Sequence, residues 1–401
     1  MCNHRSLDCI VPPHLLQKLL ESKDRRLREA ALRTLLTSTQ IRSQRTILAL
    51  LPGATSAGVK RRTIYDAKNA EPEPPKGTLV RGEGDNPTSD ATVNEAYDGL
   101  GSTYDFYKQV LGRNSLDGNG MRLDAVVHYG DGFNNAFWDG QRMVFGDGDG
   151  ELFTSFTKSL DVIAHELTHG VTEFTAGLEY HKQPGALNES ISDVFGSLVK
   201  QSSLGQDAAT ADWLIGPEVF TPGSPGDALR SMKAPGEAYD SPVFGKDPQP
   251  RHMDDFQNLP DNRFGDNGGV HINSGIPNYA FFLVAMAIGG NAWDAPGHIW
   301  YETLTKNCGP LAQFQDFADA TFGVAGRLYG ASSLEQQAVR DGWREVGIQV
   351  SGAGSIRSNA PTTTSRSRYG ESEHDSLAAL HARVDKLSKT VDQLAMSMHY
   401  A

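Results

Sequence analysis

Cysteine is scarce in this chain of 401 residues, and its three cysteines, Cys2, Cys9 and Cys308, form an odd and scattered set. Such a set excludes a disulfide-stapled scaffold, and its spacing fits no zinc knuckle. Apolar runs long enough to cross a bilayer are also missing, so we expect no membrane span. Residues 1–20 lack the apolar core of a Sec-type signal peptide, because polar residues and two prolines interrupt them.

The two signs of charge are unevenly distributed along the chain, whose formal net charge is −12. Residues 1–62 carry twelve Lys and Arg against four Asp and Glu, whereas the remainder carries 25 against 45. A basic leader in front of an acidic body predicts that the two touch, with two independently solvated surfaces as the alternative. The leader has no aromatic residues between its basic ones, so we expect no binding to nucleic acid.

The chain is long enough for two or three domains, and its patterns divide it into five segments. Helical periodicity predicts two helices over residues 14–48, broken near residues 22–24. Strand-like runs over 123–129 and 136–145 predict a β-rich part with one helix over 88–111, and mainly helical patterns follow it. The predicted boundaries are 1–62 (leader and linker), 63–158 (β-rich), 159–348 (helical), 349–372 (linker) and 373–401 (tail).

Three stretches depart from these regular patterns. Residues 216–269 are rich in Pro, Gly and Asp, and irregular loops of that length are usually functional. Residues 349–372 are rich in Ser, Thr and Arg, which predicts disorder. Apolar residues spaced three and four apart over 377–398 predict an amphipathic, coiled-coil-like helix that mediates self-association, with docking on the chain's own body as the alternative.

A helix-forming run contains the motif His165-Glu166-Leu-Thr-His169. Residues four apart share one helical face, so both imidazoles can bind one ion. Glu166 points about 100° away around the helix axis, where its carboxylate can flank a metal-bound water. Two imidazoles and a carboxylate suit zinc, with a fourth position left for water. The alternative is a helix with two satisfied surface histidines.

A second pair of residues four apart, Glu189 and Asp193, follows on another predicted helix. A helix–turn–helix would bring Glu189 against the two histidines as the third ligand. Asp193 could then accept the second N–H of a ligand histidine, which fixes the tautomer and the ring orientation. We assign Asn188, the residue before Glu189, to the same group of residues that surround the metal ligands. A solvated helix face is the alternative.

Together, HELTH and the later GALNESISD resemble the thermolysin family of zinc endopeptidases, itself a general example of a zinc site with two histidines and one glutamate. The leader, with its Pro12-Pro13-His-Leu-Leu, resembles the short propeptide of the protealysin-like branch. The resemblance covers about residues 63–348 and extends to NNAFWDG (134–140), AGLEY (176–180), ALRSM (228–232) and DNGGVHINSG (266–275).

This resemblance implies an α+β fold in which a β-rich N-terminal domain and a helical C-terminal domain flank a cleft floored by the 165–169 helix. It implies a zinc-dependent endopeptidase that hydrolyses internal bonds of proteins. It further implies a zymogen, autoprocessed, with its own propeptide as intramolecular inhibitor. Secretion by a route other than Sec is expected, with a cytoplasmic location as the alternative.

The resemblance also implies roles for individual residues. Glu166 is the candidate general base, and Tyr180 and His271, the latter in a glycine-rich turn, are candidate donors to the oxyanion. Asp266 would orient His271 and favour its protonated form. The residues expected to bind substrate are Asn135 and Ala136, at a strand edge that accepts an extended peptide; Arg230, which donates to a substrate carbonyl; and Phe153, Phe156, Val162 and Leu229, around a pocket for a bulky apolar residue after the scissile bond.

One departure from the family concerns its paired calcium site. Asp161 and Asp212 remain from the acidic cluster, but Lys200, Leu214 and Pro217 occupy other positions of it. Because calcium needs several oxygen ligands, we predict that this site is absent or degraded and that Lys200 pairs with Asp161 or Asp212.

Two other readings remain open at this stage. A non-catalytic binding protein could retain the scaffold, although the ligands, the base and both oxyanion donors are all present. An exopeptidase would need a terminus-recognising group, and none is evident. A Cys9 thiol that blocks the metal is a further alternative for the zymogen.

Overall fold

A computed structural model describes residues 8–48, 59–72 and 76–351 of the chain. The predicted tail helix, its self-association through 377–398 and most of the predicted 349–372 linker lie outside these residues. No helix among the described residues has the length and apolarity to cross a membrane. The fold is α+β, as predicted, with a mixed sheet in the N-terminal part and helices in the C-terminal part.

The leader forms two helices, as predicted, α1 (Pro13–Leu19) and α2 (Arg25–Leu48). Pro13 occupies the first turn of α1, where a missing N–H is tolerated. The helices are preceded by a two-residue strand, β1 (Asp8–Cys9), that local pattern did not predict.

Six strands build the main sheet. They are β1, β2 (Arg62–Asp66), β3 (Thr78–Gly82), β4 (Leu123–Val127), β5 (Ala136–Trp138) and β6 (Met143–Phe145), in the order β1-β5-β6-β4-β2-β3. Pairs β2–β4 and β4–β6 are parallel, and the other pairs are antiparallel. The leader's β1 therefore forms the edge of the sheet beside β5.

The run over 136–145, predicted as one strand, is a hairpin of two strands. The Asp139 carboxylate accepts hydrogen bonds from the backbone N–H groups of Gln141 and Arg142, at 2.8 Å each. Gly140 follows with φ 97°, a conformation that glycine adopts without strain. The Asp139-Gly140 pair favours a turn, and here that preference outweighs the tendency of the apolar residues on either side to form one strand.

Helix α3 (Ala91–Gln109) packs against the sheet, and the Asp90 side chain caps its N-terminus by accepting from Thr92 N and Val93 N. The helical part contains α4 (Leu160–Glu173), α5 (Lys182–Leu204), α6 (Asp266–Asn273), α7 (Gly275–Ile288), α8 (Ala295–Lys306), α9 (Phe314–Tyr329) and α10 (Leu334–Glu345). Short strand pairs, β7 (Leu214–Ile215) with β8 (Arg230–Ser231) and β9 (Asp240–Ser241) with β10 (Gly245–Lys246), lie in the irregular stretch.

Helices α4 and α5 pack closely against each other in the centre of the molecule. A Cβ atom at Gly196 would lie 2.6 Å from the backbone oxygen of Asp161, so only glycine permits this approach. Helix α5 begins at Lys182, with Pro184 in its first turn, where proline is tolerated. The close packing brings the side chains of both helices to one buried point.

Candidate active site

Helices α4 and α5 bring His165, His169 and Glu189 together at one buried point. Their ligand atoms all lie within 4.8 Å of one another. The Nε2 atoms of His165 and His169 are 3.0 Å apart, and the Glu189 carboxylate oxygens lie 3.6 and 3.5 Å from them. None of the three residues is more than 1% exposed. The helix–turn–helix geometry expected from the two i, i+4 pairs is therefore present.

A second layer of side chains fixes the orientation of both imidazoles. His165 Nδ1 lies 2.8 Å from Asp193 Oδ1, and His169 Nδ1 lies 2.8 Å from Asn188 Oδ1. Since those oxygens accept hydrogen bonds, each Nδ1 carries the proton and each Nε2 presents a lone pair to the other. Burial lowers the pKa of His165 despite the opposing Asp193 charge, which favours the neutral ligand form.

This donor set fits a divalent cation. Two facing lone pairs 3.0 Å apart, beside a buried carboxylate, repel one another unless a positive charge lies between them. Burial raises the pKa of Glu189, but nearby positive charge, that of His271 first and that of Arg230 as well, outweighs it and lowers that pKa, so the carboxylate is charged. Two neutral imidazoles and one carboxylate match zinc better than the harder cations, which prefer oxygen ligands.

Glu166 reaches strand β5, consistent with its offset of about 100° around the helix axis from His165. Its Oε2 accepts a hydrogen bond from the backbone N–H of Trp138 at 3.1 Å, and the side chain is fully buried. Trp138 therefore positions the candidate base, a contact that the sequence analysis missed because a backbone donor leaves no side-chain signal.

Tyr180 and His271 lie next to the ligand cluster. Tyr180 donates its hydroxyl hydrogen to Glu189, and its oxygen is 3.2 Å from His271 Nε2. Asp266 accepts from the His271 ring at 2.6 Å and from its backbone N–H at 2.8 Å. Burial lowers the pKa of His271, but Asp266 and Glu189 outweigh it and raise that pKa to about 9.

His271 lies in helix α6 rather than in a turn, which corrects the sequence analysis. The glycine-rich segment before it does turn, since residues 266–269 all have positive φ. The chain becomes helical only from Val270 onward. The kink is what lets the Asp266 side chain fold back onto both the backbone and the ring of His271.

The strand edge expected to accept a substrate is occupied by the leader. In β1, Asp8 pairs with Trp138 and Cys9 pairs with Phe137, antiparallel to β5. One residue further on, Ile10 N donates to the carbonyl oxygen of Ala136 at 3.2 Å. Val11 N donates to Asn135 Oδ1 at 3.0 Å. The leader thus lies along β5 in the cleft, with β1 as an added strand and residues 10 and 11 hydrogen-bonded beyond it.

Arg230 connects this strand to the metal centre. Its Nη1 donates to the Ile10 carbonyl oxygen at 2.9 Å, while its Nε and Nη2 form a bidentate pair with Asp193 at 2.8 and 2.9 Å. The Arg230 guanidinium and the His165 ring outweigh burial and hold the pKa of Asp193 well below its ordinary value. Asp193 therefore links a metal-site histidine to a peptide-binding arginine.

The four residues expected around the apolar pocket are all fully buried: Phe153, Phe156, Val162 and Leu229. Phe153 stacks on Phe156 with ring centroids 6.0 Å apart. Phe220, 5.3 Å from Phe153, and Phe244, 5.3 Å from Phe220, extend this aromatic cluster. Sequence reasoning missed these two because they lie in the irregular stretch, where aromatic residues in a polar loop were the only signal.

His14 of the leader is another residue that sequence reasoning missed. Its Nε2 lies 2.8 Å from the Tyr239 hydroxyl, and its buried Nδ1 has no hydrogen-bond partner among the described residues. Burial lowers its pKa to about 4, with the nearby Asp266 charge opposing that shift. The neutral His14 ring thus attaches the leader to Tyr239 of the body.

Lys200 pairs as predicted with the two aspartates left from the acidic cluster. Its Nζ lies 2.8 Å from Asp161 and 3.2 Å from Asp212, and it donates to the Leu214 carbonyl oxygen at 3.0 Å. Burial opposes the charge, but Asp161 and Asp212 outweigh it and raise the pKa of Lys200. The ammonium group thus occupies the space between these carboxylates.

Taken together, the ligand cluster, the buried Glu166 carboxylate and the candidate oxyanion donors Tyr180 and His271 beside the leader segment fit a metallohydrolase centre. Residues 55–173 match the thermolysin metallopeptidase catalytic domain, and residues 176–348 match the thermolysin metallopeptidase alpha-helical domain. Both halves of the cleft are covered by these matches.

Individual relatives agree with the domain matches. An extracellular metalloprotease of Pectobacterium carotovorum subsp. carotovorum is 46% identical over 347 residues, 86% of this chain and 98% of that protein. Protease PrtS of Photorhabdus sp. (strain Az29) is 47% identical over 348 residues, 85% of this chain and 92% of that protein. A solved structure, the precursor of protealysin, a metalloproteinase from Serratia proteamaculans, matches with 48% identity and a TM-score of 0.77, covering 85% of this chain and 99% of that one.

The chain belongs to the thermolysin metallopeptidase family, and it is a thermolysin-like metalloprotease by these matches. This confirms the predicted family, the two-domain α+β fold and the enzyme class. The family uses a catalytic zinc, and the His165, His169 and Glu189 cluster is present here.

Proposed function

We propose that the chain is a zinc-dependent endopeptidase made as a zymogen, whose leader lies in its own substrate cleft. The observation that carries the proposal is the leader segment at residues 8–11, which the candidate site residues bind at both its N–H and its carbonyl groups. A site that binds successive backbone N–H and carbonyl groups of an extended segment suits hydrolysis of internal peptide bonds.

His165, His169 and Glu189 would hold the zinc ion. When bound, zinc acidifies a water molecule and polarises the scissile carbonyl. Glu166 takes the proton from that water and later gives it to the leaving nitrogen, and the Trp138 N–H keeps its carboxylate in place. His271, with a pKa raised to about 9, is charged at neutral pH and donates with Tyr180 to the developing oxyanion.

Substrate recognition rests on main-chain contacts together with one apolar pocket. Asn135, Ala136 and Arg230 bind the backbone after the scissile bond. The aromatic cluster around Phe153 and Phe156, with Val162 and Leu229, accepts a bulky apolar side chain at the first position after that bond. A peptide library in which charged residues are preferred at this position would contradict the proposal.

The leader inhibits by occupying the cleft, and its helices hold it there. Leu15, Leu16 and Leu19 of α1 are buried in the hydrophobic core. The basic leader meets the acidic body where Arg26 lies 2.9 Å from Glu151.

We assign residues 1–62 to the propeptide and linker, with autoprocessing in the linker, and 63–158 and 159–348 to the two peptidase domains. Since relatives are named extracellular metalloproteases, we propose that this chain is secreted as well.

The test is hydrolysis of casein by the purified chain with stoichiometric zinc, before and after a zinc chelator. We expect Glu166→Ala to lower the rate by about 10² to 10⁴-fold, the typical contribution of a positioned general base. Glu345→Ala, which removes an exposed carboxylate on α10, is the matched control and should leave the rate unchanged. Hydrolysis that survives both Glu166→Ala and the chelator would refute the proposal.

A further inference from the structure

The leader runs along β5 in one continuous direction. β1 pairs with β5 through Asp8 and Cys9. The next two residues, Ile10 and Val11, donate to Ala136 and Asn135. An inhibitory segment that only covered the site would need neither continuous strand pairing nor a peptide bond at the centre.

The peptide group at the centre is the one between Cys9 and Ile10. The carbonyl oxygen of Cys9 lies 2.9 Å from His271 Nε2, one of the two proposed oxyanion donors. The other donor, Tyr180, lies 3.2 Å from the same nitrogen. The Cys9 carbonyl is therefore placed where a scissile carbonyl would be.

The residue that follows is bound as the first residue after a scissile bond. The N–H of Ile10 donates to Ala136, and its carbonyl oxygen accepts from Arg230 at 2.9 Å. Its side chain is fully buried in the same apolar core as Phe153 and Phe156. Three backbone groups around the Cys9–Ile10 bond, the Cys9 carbonyl and the Ile10 N–H and carbonyl, thus have the partners expected for a substrate.

We propose that the Cys9–Ile10 bond is itself a cleavage site, so that the leader is a slow intramolecular substrate as well as an inhibitor. Water adds to the Cys9 carbonyl carbon, the C–N bond breaks, Cys9 ends in a carboxylate and Ile10 receives the proton as a new amino terminus. The Ala136 carbonyl, which accepts from the Ile10 N–H in the intact chain, then accepts from that new terminus. This inference rests on the proposed function.

The cut differs from removal of the leader. It separates residues 1–9, whereas α1 and α2 remain bound through the buried Leu15, Leu16 and Leu19 and through His14 against Tyr239. Ile10 and Val11 remain attached to these helices and keep the positions after the scissile bond filled. The nicked chain is therefore a discrete intermediate between the precursor and the form without a leader.

The experiment follows the full-length chain with stoichiometric zinc by intact mass under dissociating conditions, while casein hydrolysis is measured in the same sample. We expect a product that begins at Ile10, formed at a rate that does not change on ten-fold dilution, and no such product from Glu166→Ala. If casein is hydrolysed while the Cys9–Ile10 bond stays intact, the inference fails and the proposed function stands. If neither is hydrolysed, both fail.

Two variants and a second readout sharpen the test. Ile10→Asp should slow the cut about ten-fold or more, because a carboxylate is poorly accommodated in an apolar pocket, whereas Ile10→Leu should retain it. If Ile10→Asp does not fold, hydrogen exchange of the zinc-loaded Glu166→Ala chain provides the test. It reports whether Ile10 and Val11 are hydrogen-bonded to the body of the protein, in a variant that does not cleave the bond. The Ile10 and Val11 amides should be protected there, and exchange at the rate of an unstructured peptide would overturn the inference.

Discussion

The two ends of the α4–α5 helix pair both bury carboxylates, and they differ in the source of the balancing positive charge. At one end, His165 and His169 turn two lone pairs toward each other beside the Glu189 carboxylate, and the nearest cationic ring, His271, lies 3.5 Å from that carboxylate on the Glu189 side rather than between the two imidazole nitrogens. At the other end, Lys200 places its ammonium between Asp161 and Asp212. The comparison teaches that a buried carboxylate can be neutralised from within the chain, and that the first site instead retains the need for a metal.

The largest effect is expected at the end where no side-chain cation lies between the two facing imidazole nitrogens. Glu189→Ala removes the only carboxylate of the donor set, so we expect loss of stoichiometric zinc and of detectable casein hydrolysis. Zinc content of the purified variant by elemental analysis is the measurement. Asp212→Ala, at the Lys200 end where the side chain is 42% exposed, is the control and should keep both.

The next effect concerns the end that supplies its own cation. Lys200→Met leaves Asp161, which is fully buried, without its ion-pair partner, and should lower the free energy of unfolding by about 3–5 kcal/mol. Urea unfolding measures this, and adding Asp161→Asn should restore part of the loss. If the free energy of unfolding changes by less than about 1 kcal/mol, the Lys200–Asp161 pair is not what neutralises the buried carboxylate. For the same reason we propose that calcium-selective chelation alters the melting temperature of the wild-type chain little.

A smaller effect is expected at His14, a buried titratable group that has no carboxylate in direct contact. Its pKa is about 4 when docked against about 6.5 when exposed, so releasing the leader takes up a proton below pH 6.5. Docking is therefore strongest above that pH and weakens as the pH falls toward 4, by about thirty-fold at pH 5.

The groups that face His14 set the controls for this pH dependence. They are the Tyr239 hydroxyl, which is hydrogen-bonded to the ring, and the charges of Asp266, His271 and Arg230. The measurement is protection of the α1 amides from hydrogen exchange at pH 7 and pH 5. His14→Phe should flatten the difference, and an equal pH dependence in that variant would assign it to the other groups.

The smallest effect is expected at Arg26 and Glu151, where charge balance is exposed to solvent. Their side chains are 73% and 46% exposed, so the pair should contribute about 1 kcal/mol or less to docking of the leader. Glu151→Gln should therefore change protection of the α2 amides only slightly, and less still at high salt. A large effect would show that the basic leader is held chiefly by surface charge.

Local periodicity explains why the metal site could be predicted from the sequence. Each half of it, His165 with His169 and Glu189 with Asp193, is an i, i+4 pair on one helix, and helical spacing fixes its geometry before any packing. The pairing of Lys200 was predictable too, because the resemblance to the thermolysin family aligns this position with the family's acidic cluster.

Other features depend on contacts between distant parts of the chain. The leader strand at Cys9 is two residues long and binds β5 across more than a hundred positions of sequence, so no local pattern marks it. Phe220 and Phe244 join the pocket only through the fold of the irregular stretch. The α6 kink before His271 likewise depends on positive φ values that glycine permits but does not dictate.

The most direct test of the account is the zinc content and coordination of the purified wild-type chain. Elemental analysis with X-ray absorption at the zinc edge should find one zinc per chain, bound by two nitrogen ligands and at least one carboxylate oxygen, with both nitrogens lost in His165→Ala/His169→Ala. Absence of stoichiometric zinc after reconstitution, or zinc that persists unchanged in that double variant, would contradict it.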